Sequence, residues 1–122
     1  QMLLRYRPGV VFGCEVRIWS NDSGNKPHIH IATKNVGRKE RRNTTIDCCV
    51  RLDVAEYFVH GGHDDTLNNS QCKELYEFLQ QKNKRHKEKT NWDVFVEEWN
   101  NHYPARMVPK GTSFPDYSAL NG

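Results

Sequence analysis

The feature that most limits what this chain can fold into is a change of period near residue 70. Ahead of it the apolar residues recur at every second position; after it they recur at every third and fourth. Period two is the repeat of a strand with one buried face, and three-and-four spacing is that of an amphipathic helix. A chain that uses the first and then the second is expected to be an α+β domain. The reading is a small antiparallel sheet of three to four strands, with two C-terminal helices packed on one face.

In VVFGCEVRIW, residues 10 to 19, Phe12, Cys14, Val16 and Ile18 share one phase and Gly13, Glu15, Arg17 and Trp19 the other, which predicts a half-buried strand. The turn formers NDSGN follow, and Pro27 biases Lys26 toward extended backbone, so a second strand from His28 to Thr33 is expected to pair with the first as a hairpin. TTIDCCVRLDV alternates again, with Ile46, Cys48, Val50, Leu52 and Val54 on one side and Asp47, Cys49, Arg51 and Asp53 on the other. The next stretch, AEYFVHGGHDD, fits a short strand, a helical turn or a packed loop equally well.

Cys72, Leu75, Tyr76 and Leu79 predict a helix over about residues 70 to 84, capped by Asn69 or Ser70. Thr90 and Asp93 form a capping-box pattern ahead of Trp92, Phe95, Val96, Trp99 and Tyr103, and Pro104 stops that second helix. The sequence divides into a domain over 1–104 and an extended C-terminal tail over 105–122, since three of the five prolines fall from residue 104 onward and periodicity ends there. Burying the aromatic stripe of the helices against the apolar strand phase is the largest available source of stability, at roughly 150 to 250 Å² per aromatic residue. The opposite sheet face is then expected to be open to solvent or a partner.

Length, at 122 residues, allows one core. The longest apolar run is far short of a membrane span, and no charged segment followed by an apolar leader precedes the strands, so a cytoplasmic protein with no membrane partner is expected. Cys14, Cys48, Cys49 and Cys72 contain no CxxC spacing and read as reduced thiols used as small apolar residues. The net charge of +3 is unevenly spread. Lys34, Arg38, Lys39, Arg41 and Arg42 stand against Glu40, and Lys82, Lys84, Arg85, Lys87 and Lys89 against Glu88, leaving the rest of the chain acidic.

Within KPHIHI, Ile29 and Ile31 match the buried phase, so His28 and His30 share the other face with Glu15, Arg17, Asp47, Cys49 and Arg51. Two imidazoles can supply the acid and the base of metal-free RNA cleavage near neutral pH. On that reading His28, His30, Glu15, Arg17, Arg51 and Asp47 are the catalytic candidates, and Lys34, Arg38, Lys39, Arg41, Arg42, Lys84 and Arg85 hold phosphates. No motif demands a cofactor.

WSNDSGNKPHIHI, RLDVAEYFVHGG, LNNSQCKELYEFL and NWDVFVEEWNNHY together resemble the prokaryotic domain of unknown function family 4160, over roughly residues 10 to 103. That family carries an Asp-His-x-Pro-Pro-His-x-His segment and a Trp-Asn pair in its last helix. Asp22, Pro27, His28, His30, Trp99 and Asn100 match, whereas Ser23 replaces the family's first histidine and Lys26 its first proline. The resemblance implies a small α+β protein in a toxin–antitoxin setting.

Three functions therefore stand as expectations. The first is a toxin-like protein that binds or cleaves RNA. The second is a non-catalytic interaction module with a cognate protein partner, or a homodimer, docked through Trp19, Phe114 or Tyr117. The third is a metal site, with His28 and His30 joined by His60, His63 and Asp64 around Gly61 and Gly62. Cys49 faces the histidines and is a further candidate, as a nucleophile.

Overall fold

A computed structural model describes residues 10–19, 26–33 and 46–122. Asp22, Ser23, Lys34, Arg38, Lys39, Arg41 and Arg42 lie outside the described residues. Four strands, β1 (Val10–Val11), β2 (Cys14–Arg17), β3 (His28–Thr33) and β4 (Asp47–Arg51), form one antiparallel sheet in the order of the chain. Two helices follow, α1 (Asn69–Gln80) and α2 (Asn91–His102), so the α+β reading holds.

The single strand expected over Val10–Trp19 is instead a tight hairpin. Val11 pairs with Cys14, and the two residues between them, Phe12 and Gly13, have φ of 36° and 79°. Positive φ at both central positions is what a two-residue turn matched to strand twist requires; Gly13 adopts it without steric cost and carries Phe12 with it. The alternation that follows is kept: Cys14, Val16 and Ile18 are buried.

The apolar strand phase, Val16, Ile18, Ile29, Ile31, Cys48, Val50 and Leu52, joins Leu75, Leu79, Trp92, Phe95 and Trp99 of the helices in one core. α1 begins slightly earlier than expected because Asn68 caps it, accepting from the Gln71 N–H while the Gln71 side chain accepts from the Asn68 N–H. α2 has the expected box between Thr90 and Asp93. The turn between the helices is fixed from inside. Buried Asn91 donates to the Phe78 carbonyl at 2.8 Å and accepts from Asn83 at 2.9 Å.

Residues 105–122 are irregular apart from the 3-10 turns at Pro104–Arg106 and Tyr117–Ala119, yet they lie against the domain. Tyr117 is fully buried and its hydroxyl donates to the Arg51 carbonyl at 2.6 Å. Phe114 packs on Tyr76 and Tyr117, so these two aromatics serve the chain's own interior. Asn121 accepts from the Tyr57 hydroxyl and donates to the Leu67 carbonyl, both at 2.7 Å, strapping the segment between β4 and α1.

Candidate metal centre

Strand register builds the site. Arg17, His30 and Cys49 lie side by side across β2, β3 and β4, Glu15 and Asp47 flank Ala32 one pair further along, and His28 lies opposite Arg51. Side chains two apart on a strand, or directly opposite across a ladder, project from the same face. His28, His30 and Cys49 therefore leave the sheet together, on the face opposite Ile29, Ile31, Cys48 and Val50.

That face is not open, which corrects the expectation. After β4 the chain turns back along the same edge: Val50 bridges to Tyr57, and the Phe58 N–H donates to the Cys49 carbonyl at 2.9 Å. The Phe58 ring comes 4.6 Å from His28, Trp99 reaches to 5.3 Å from the same ring, and Trp19 stands 5.6 Å from His30. His28 retains 1%, His30 4% and Cys49 1% of their exposure. Trp19, expected as an exposed docking residue, is half-buried as part of this wall. Its carbonyl accepts from the Tyr103 hydroxyl, and Tyr103 stacks on Trp99 at 4.1 Å.

The returning segment also delivers His60. One donor atom from each of His28, His30, Cys49 and His60 lies within 4.8 Å of all the others. Cys49 Sγ is 3.3 Å from His30 Nδ1 and 3.5 Å from His60 Nε2. A tetrahedral zinc with usual bond lengths separates its ligand atoms by about 3.3 Å for two nitrogens and about 3.6 Å for nitrogen and sulfur. The two Cys49 spacings match a four-coordinate ion, and the set as a whole, within 4.8 Å, would draw together by up to about 1 Å around one. His28 Nδ1 stands 2.7 Å from the Lys26 carbonyl, which can only accept, so that nitrogen carries the proton and Nε2 the lone pair. Such a second hydrogen bond is what orients a metal-binding imidazole.

His63 stands beside this set. Gly61, at φ 57°, turns the chain so that His60 and His63 bridge each other, and the His63 N–H donates to the His60 carbonyl at 3.0 Å. The His63 ring is 4.9 Å from that of His30 and 5.0 Å from that of His60, and its Nδ1 is 2.7 Å from Asp47 Oδ1. Asp47 is in turn fixed by Asp65, which accepts from the Asp47 N–H at 2.9 Å.

The remaining candidates are engaged elsewhere. Arg17 pairs with Glu15. Arg51 forks onto Asp53 at 2.8 and 2.9 Å and reaches Glu56 at 3.3 Å; the Asp53 hydrogen bonds raise its already high pKa. Lys84 and Arg85 are exposed in the turn between the helices, and Asp64 is exposed at the surface. Of the expected metal ligands the structure brings together His28, His30 and His60. It adds Cys49, whose alternation already placed it on the histidine face but whose position opposite His30 depends on a register that the intervening loop hides.

No known protein family, curated protein or solved structure was found to match this chain. The site is read from its own geometry.

Proposed function

We propose that this is a zinc-binding protein in which His28, His30, Cys49 and His60 hold one metal ion and clip the segment after β4 onto the sheet. The observation that carries the reading is the convergence of those four donor atoms within 4.8 Å, three of them on buried residues and His60 partly exposed. Three imidazoles and a thiolate, with no carboxylate among them, suit a borderline-soft ion such as zinc and not magnesium or calcium, which take oxygen ligands. Four protein donors also fill a tetrahedral ion. Hydrolytic zinc centres keep one position for water, so this one is a structural centre.

Two alternatives at the same residues are weaker for stated reasons. A histidine pair acting as acid and base on RNA needs both rings within reach of a substrate, and these rings are 1% and 4% exposed. A Cys49 nucleophile between two imidazoles would meet the same obstacle at 1% exposure.

The test is elemental analysis of chain purified without chelators, followed by cobalt substitution. One zinc per chain is expected, and cobalt should give tetrahedral visible bands with a thiolate charge-transfer band that Cys49→Ala removes. Cys49→Ala and His60→Ala should each weaken zinc binding by more than the roughly 10- to 100-fold typical of an outer-shell substitution. Absence of zinc both as purified and after reconstitution sinks the proposal.

A further inference from the structure

We infer that His63, held by Asp47, is the port through which metal reaches and leaves the buried donors. The inference rests on the proposed zinc site. A hydrated cation cannot reach His28, His30 or Cys49 directly at their 1 to 4% exposure, which leaves the partly exposed His60 as the first of the four donors that an entering ion meets. His63 belongs to both environments: its side chain is 33% exposed, while its ring touches those of His30 and His60 at 4.9 and 5.0 Å. Its donor atom is also prepared. The Asp47 carboxylate accepts from Nδ1–H, which leaves the lone pair on Nε2 and makes that nitrogen a better ligand. The carboxylate, itself 41% exposed, adds a negative charge where a cation arrives.

A direct exchange of ligands then carries the ion inward. Nε2 of His63 displaces a water from the hydrated cation at the surface, and His60, three residues away across Gly61 and Gly62, takes the ion as His63 releases it. No bond to His63 remains in the loaded state. A group that touches the ion only during passage lowers the barrier from both sides equally, so it speeds binding and release by one factor and leaves the equilibrium unchanged.

The experiment is stopped-flow zinc uptake by the metal-free full chain and zinc release from the loaded chain to a fluorescent chelator, for wild type, His63→Ala and Asp47→Asn. His63→Ala should slow both rates by about tenfold or more, with Kd changed by less than about threefold, and Asp47→Asn should shift both rates the same way by less. Faster release with unchanged uptake would make His63 a permanent support of the site and overturn the port. Unchanged rates in both variants would also overturn it. Asp47→Asn preserves size and hydrogen bonding, so it supplies the answer if His63→Ala misfolds. A wild-type chain that binds no zinc overturns the clip itself, whereas normal equilibrium binding with unaltered variant kinetics overturns the port alone.

Discussion

Gly61 shows how one backbone angle sets the site. Its φ of 57° lies where an L side chain is disfavoured, yet a Cβ built there meets only His63 Cδ2, at an ordinary 3.8 Å. The cost of Gly61→Ala is therefore the left-handed backbone itself, about 1 to 2 kcal/mol. Because the strain falls between His60 and His63, the substitution is expected to lower the unfolding midpoint and to weaken zinc binding by about tenfold, since each 1.4 kcal/mol is tenfold. Isothermal titration beside thermal unfolding checks both; an unchanged affinity would mean that the turn does not position His60. At this scale the sequence was partly legible. Alternation put His28, His30 and Cys49 on one face, because side-chain direction has a strict period in a strand. What it could not convey was that His60 returns over them. That fact comes from the hydrogen bonds of Arg51 and Cys49 to Glu56 and Phe58, which are backbone contacts without a residue signature.

At the scale of elements, the helices illustrate which patterns are reliable. The Thr90 and Asp93 pairing was readable because a capping box needs particular side chains three residues apart, and it forms with bonds of 3.0 and 3.1 Å. Thr90→Ala should destabilise the protein by about 1 kcal/mol in denaturant unfolding. A loss much below that would assign the helix start to the buried Asn91 contacts instead. α2 also carries Trp99, so its ends matter to the proposed metal site: the Trp99 indole N–H donates to the Arg106 carbonyl at 2.7 Å while the ring faces His28. The hairpin within Val10–Trp19 is hidden for the opposite reason. A two-residue turn inside an alternating run preserves the alternation on either side, and Gly13 was the only mark of it.

For the whole molecule, the Cys48 thiol and the Tyr57 phenol are held in their neutral forms, and this sets a response to alkali. Burial, reinforced by the neighbouring Cys14, Asp65 and Asp47, pushes the Cys48 thiol from 9.0 up to about 12. Burial likewise pushes the Tyr57 phenol from 10.0 to about 12. Between the unfolded and folded values the native chain keeps protons that the unfolded chain has released, so stability must fall as pH rises. The Cys48 contribution is fully present below about pH 9 and declines toward pH 12, at up to about 1.4 kcal/mol per pH unit; that of Tyr57 begins near pH 10 and is smaller, because solvent screens this partly exposed phenol. Denaturant unfolding of the zinc-loaded protein across this range should show the decline, and Cys48→Ala should make it shallower. A profile as steep in Cys48→Ala as in wild type would locate the alkaline sensitivity elsewhere. Among the described residues no helix is long and apolar enough to cross a membrane.

The order of the parts along the chain has a consequence for biosynthesis. All four donors lie ahead of α1, whereas Trp99, which stands over His28, comes from α2. A chain emerging N-terminus first exposes the strand and His60 segments before α2 is synthesised, although the core they share with the helices forms only when the whole unit is present. If these residues hold zinc as proposed, the ligands are made before the helix that supplies their aromatic cover, so a chain lacking α2 would leave His28 without the Trp99 contact.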